Sequence, residues 1–138
     1  MPINYNPHGE YEIDTSLLSS QILIIRAKGS WNTQTAQECV DKVLHYADVL
    51  KPHPWAFVED IREWDLCTPE VMEVFTLAIK VMLKKNFRVR AVLPRINLHK
   101  DVIKLTMEKK QPVATEFFIQ PEEAIVWCRS QLGNIIES

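Results

Sequence analysis

Glycine is scarce in this chain of 138 residues: only Gly9, Gly29 and Gly133, too far apart to build a phosphate-cradling loop. The missing loop argues against nucleotide hydrolysis. Cysteine is also sparse. Cys39, Cys67 and Cys128 are odd in number and widely spaced, so they match neither a zinc pattern nor a disulfide framework. A reducing cytoplasm is the expected setting. No apolar run approaches the ~20 residues of a membrane helix, and Met1 to Glu10 is polar, without the apolar segment of a secretory signal. The four histidines, His8, His45, His53 and His99, fall at a tail, an exposed helix face, a proline-flanked loop and a helix start. None is near the acidic group Glu59, Asp60, Glu63 and Asp65, so no metal site and no acid–base pair is legible. Cys67 precedes a helix N-cap, where the dipole can lower a thiol pKa, but no base is near it in sequence. We therefore assign no catalytic residue, no metal and no cofactor. No nucleic-acid motif is present, and basic and aromatic residues do not interleave.

What is there begins with charge. The net charge is −2, yet Lys80 to Lys110 holds ten basic and two acidic residues, so the remainder is acidic. Such asymmetry reads either as solvated helix faces or as a basic face for an anionic ligand or acidic surface.

The organising stretch runs from Trp55 to Leu83. Trp55 to Ile61 is aromatic and β-branched with little alternation, the pattern of a strand covered on both faces. Thr68 as N-cap, Pro69 and Glu70 then open a helix. At about 100° per residue, only Glu73, Thr76, Lys80 and Lys84 form a polar stripe. One sheet face cannot cover so wide an apolar arc. Before this stretch, Glu10 to Ile13 reads as an edge strand, Gln21 to Lys28 as a buried strand, and Thr33 to Leu50 as a helix capped by Asn32. After it, Arg88 to Leu93 reads as a strand, Leu98 to Lys110 as a helix, and Thr115 to Ile119 as the last strand. The final helix opens at Gln120-Pro121-Glu122-Glu123 and stops at Gly133. This order predicts an α/β fold: a mixed, mostly parallel sheet of about five strands with about four helices, Trp55 to Ile61 central. We expect one domain over residues 1–138, with residues 1–9 an irregular tail.

Two segments carry a family resemblance: Val58-Glu59-Asp60-Ile61-Arg62, and the closing strand and helix from Phe117-Phe118-Ile119 through Glu122-Glu123-Ala124 to Trp127. With the element order, they resemble the SpoIIAA-like family of the STAS-type domains, a distant relative of the lipid-carrier SEC14 fold. The resemblance spans about Glu10 to Leu132. It implies a non-catalytic regulatory or interaction module acting through protein partners, or alternatively a small carrier of a lipid or other apolar or anionic ligand. Anti-sigma-factor antagonists of this superfamily carry a phosphorylated serine before the second helix. The corresponding turn here, Trp64-Asp65-Leu66-Cys67-Thr68-Pro69, offers only Thr68 as a phospho-acceptor.

Ligands of open α/β sheets bind beyond the carboxyl ends of the strands. That rule gathers Trp31, Asp60, Arg62, Trp64 and Arg95 as candidate ligand-binding residues beside two helix N-termini. The excess apolar arc of the Thr68–Lys84 helix predicts a homodimer, with Met72, Val74, Leu77 and Val81 as candidate contacts.

Overall fold

A computed structural model describes residues 9–65, 67–95, 101, 103 and 112–137. Among these residues five strands form one sheet in chain order: β1 (Glu10–Asp14), β2 (Ile22–Gly29), β3 (Trp55–Trp64), β4 (Phe87–Pro94) and β5 (Ala114–Phe117). β1 runs antiparallel to β2, and every other neighbour pairs parallel. The described residues hold three α-helices: α1 (Thr33–Leu50), α2 (Pro69–Leu83) and α3 (Pro121–Glu137). The helix expected over Leu98–Lys110 and the tail over residues 1–9 lie outside the described residues, apart from Gly9, Asp101 and Ile103. Four of the ten basic residues of the Lys80–Lys110 segment, Lys100, Lys104, Lys109 and Lys110, lie outside them too.

β3 is the central strand, as its unalternated apolar sequence requires. Leu23, Ile25, Phe57, Ile61, Phe87 and Val92 face one layer with α1 and α2. Ile22, Ile24, Ala56, Val58, Val89 and Leu93 face the other, against Ala124, Cys128 and Leu132 of α3. The helix starts follow from their caps. Asn32 Oδ1 accepts a hydrogen bond from the Thr35 amide at 2.8 Å, and Thr68 Oγ1 accepts one from the Val71 amide at 3.4 Å.

Strict alternation fails at two places. Arg26 opposes Asp60 but Lys28 opposes Glu63, so β3 carries one extra residue there. Trp55 opposes Phe87 but Ala56 opposes Val89, so β4 carries one extra residue at Arg88. An extra residue reverses the facing of every later residue in its strand. Trp64 thereby joins Ile61 on the α1–α2 face, and Arg90 turns to that face as well.

Gly133, expected to stop the last helix, lies inside it. The helix continues because Leu132 is buried and Ile135 packs against the same layer. A Cβ at Gly133 would meet nothing within 4 Å. Gly133→Ala should therefore stabilise the fold by about 0.5–1 kcal/mol through the unfolded state. A urea midpoint that stays put or falls would contradict this placement.

Candidate functional site

Between the sheet and the α1–α2 pair lies a cavity of about 70 Å³. Its walls are apolar: Ile25, Ala27, Phe57 and Ile61 from the sheet, Cys39 and Val43 from α1, and Met72, Phe75, Ile79 and Met82 from α2. Two charged side chains break this lining. Arg90 Nε donates to Glu59 Oε2 at 2.5 Å and Arg90 Nη2 to Glu59 Oε1 at 3.0 Å. The Arg90 side chain is 2% exposed and that of Glu59 13%. A bidentate geometry of this kind offsets the several kcal/mol that burying either ion alone would cost.

One end of the cavity is aromatic. The Trp31 and Trp64 rings stand 5.9 Å apart, and each stands 5.8 Å from Phe75. Trp31 is pinned because its Nε1 donates to the Glu10 carbonyl at 3.1 Å and the Lys28 carbonyl at 3.0 Å. Gly9 makes room for it. A Cβ there would fall 2.2 Å from Trp31 Cδ1, and the backbone φ of +81° favours glycine in any case.

The five candidate ligand residues divide between separate places. Trp31 and Trp64 line the cavity, while Asp60, Arg62 and Arg95 do not. Asp60 follows Glu59 in β3 and so points to the opposite sheet face. There Arg62 holds it bidentately at 2.9 and 2.7 Å. Arg95 reaches Asp65 at 3.2 Å, and Ser30 Oγ donates to the same carboxylate at 3.0 Å. Carboxyl-end loops therefore do not gather one crevice from these five, and the cavity lies within the layer instead. Met72 also departs from expectation. It lines the cavity, whereas Val74, Leu77 and Val81 border a groove on the outer side between α1 and α2. Thr68 is exposed, with its hydroxyl engaged as the α2 cap.

Glu59 and Arg90 carry the polar chemistry of the cavity. A signal for them exists in the sequence: opposite charges at interior positions of two neighbouring apolar strands. The cysteines behave unlike activated thiols. Burial pushes Cys39 and Cys128 up to about 12 and Cys67 up to about 11, so at Cys67 desolvation outweighs any lowering by the nearby helix N-terminus. Among the described residues, no group of three or more His, Cys, Asp or Glu is placed to hold a metal ion. No described helix is long and apolar enough to cross a membrane.

The architecture is a SpoIIAA-like fold. Among solved structures, it matches one described as an uncharacterized protein from the DUF3478 family with a SpoIIAA-like fold, from Shewanella loihica PV-4. The TM-score is 0.65 at 20% sequence identity, over 92% of this chain and 99% of that one. No protein-family profile and no curated protein matches the chain.

Two measurements test these electrostatics. Glu59→Ala takes the carboxylate away from a buried guanidinium and should cost about 3–5 kcal/mol, while Glu59→Leu combined with Arg90→Met should recover most of that loss in urea unfolding. A single variant as stable as wild type would mean the pair is not buried. For Asp60, burial acts to raise the carboxyl, and the Arg62 hydrogen bonds with the Arg62 and Arg26 charges outweigh it. The carboxyl thus sits below its ordinary 3.8, so its stabilisation is present above that value and lost as pH falls through the lower one. The stability gap between wild type and Asp60→Asn should accordingly narrow on acidification below pH about 4. A gap independent of pH would refute the assignment.

Proposed function

We propose that this chain is a non-catalytic binding module whose cavity takes a small apolar ligand carrying one hydrogen-bonding end. The observation behind this reading is an apolar cavity bearing one buried ion pair, Glu59 with Arg90, on its wall. Apolar walls favour a hydrocarbon body without specifying it, and the ion pair gives a polar end a charged stretch of wall to meet. Volume limits the occupant. About 70 Å³ is roughly half the engineered cavity of ~150 Å³ that binds benzene. A short acyl or branched segment suits it better than a whole lipid chain.

A second reading, a regulatory module working through protein partners as STAS-type domains do, is favoured by Leu77, which α2 leaves 56% exposed. Three free thiols suit a reducing compartment, and we place the module in the cytoplasm.

Native mass spectrometry of freshly purified protein tests the carrier reading, together with a titration by a short bromo-acyl acid. Bromine seated in the cavity quenches the adjacent Trp31 and Trp64. Saturable quenching that disappears in Ala78→Leu, which fills the cavity from α2, is the expected result. Quenching unchanged by Ala78→Leu, or none at all together with no co-purified mass, would reject the carrier reading in favour of partner binding.

A further inference from the structure

The outward stripe of α2 reads Glu70, Val74, Leu77, Val81, Lys84, with spacings of four and three residues, the seam of a helix that pairs with another helix. Leu77 is 56% exposed and Val81 38%, and Val74 is half-buried beside them. Val40 and Leu44 of α1 continue the same apolar strip. Charge is distributed along α2 with a particular symmetry. Glu70 and Lys84 lie equally far from Leu77, one before it and one after it. Glu73 and Lys80 flank it more closely, again acid before and base after, and all four are exposed.

We infer that α2 is where two copies of this chain meet, antiparallel across a two-fold axis at Leu77. In that arrangement Leu77 packs on Leu77 and Val74 lies beside Val81 of the second copy. Glu70 then faces Lys84 of the second copy, Glu73 neighbours Lys80, and the two-fold repeats both pairs. Parallel pairing would instead set Glu70 against Glu70 and Lys84 against Lys84, so the charges choose the direction. The same balance of acid and base argues against an anionic membrane as occupant, since that surface attracts helices whose polar face is predominantly basic. The contact is modest. One 15-residue helix is about 22 Å long and, with a margin of α1, falls short of the ~800 Å² per partner of a standard interface. Association should therefore be reversible in the micromolar range. This inference does not depend on the cavity being occupied.

Sedimentation equilibrium over roughly 5–500 μM, at low salt, tests it through a charge exchange. Wild type should associate to a dimer. Glu70→Lys and Lys84→Glu should each weaken association about tenfold. The combined Glu70→Lys, Lys84→Glu protein should return to within about threefold of wild type, because the exchanged charges face each other again. Leu77→Glu places like charges on the axis and should give a monomer. Glu70, Leu77 and Lys84 are all exposed, and thermal melts by circular dichroism verify that each variant is folded. A wild type that stays monomeric over this range overturns the inference, and so does a double variant as weak as its single parents. Bromo-acyl quenching should be unchanged in Glu70→Lys, so failure of the dimer and failure of the carrier are separable.

Discussion

An arginine buried in an apolar layer must be met by a carboxylate, and here the register of β4 against β3 brings the two together. Arg90 sits opposite Phe57 and reaches diagonally to Glu59, two residues along the same face. Had β4 continued in strict alternation from Phe87, position 90 would face α3, and Glu59 would be buried without its partner. The α1–α2 layer thus contains one satisfied pair in an otherwise apolar lining, and α1 and α2 can close over it. Slippage of that register would leave the Glu59 carboxylate without Arg90 in a low-dielectric layer, a cost that disfavours the slipped pairing.

The central position of β3, the helix caps at Asn32 and Thr68, and the two-sided layering were legible because each rests on local signals. These are a run without alternation, a capping side chain and an amphipathic period. The SpoIIAA-like architecture followed from their order. Gly133 misled because a stop signal is only a local preference, and the packing of Leu132 and Ile135 overrides it. The candidate site was less legible. Trp31 and Trp64 do meet, but Asp60 and Arg62 belong to the opposite sheet face, and Arg95 is engaged by Asp65. Carboxyl-end loops gather residues by their position along the strand. Which face each residue takes depends on register, and the extra residues in β3 and β4 carry no mark that periodicity detects.

The helices α1 and α2 divide their surfaces between two tasks. Met72, Phe75, Ile79 and Met82 complete the wall over the sheet, while Val74, Leu77 and Val81 turn outward. The wide apolar arc of α2 is therefore two adjoining faces, one closing the cavity and one left on the surface. A change on the outer face need not disturb the inner one, so the two can vary independently.

The extra residues in β3 and β4 make the cavity a matter of counting as much as of side-chain type. No substitution adds or removes a residue. The facing of Trp64 and Arg90 therefore persists through changes of residue type nearby, provided the pairing holds. Loss of a single residue between Asp60 and Glu63, or at Arg88, would rotate a whole strand end by half a turn. In descendants of this sequence the site should tolerate drift in composition far better than a one-codon deletion. Strand length in β3 and β4 is then the feature by which a chain with this cavity would be recognised after its side chains had diverged.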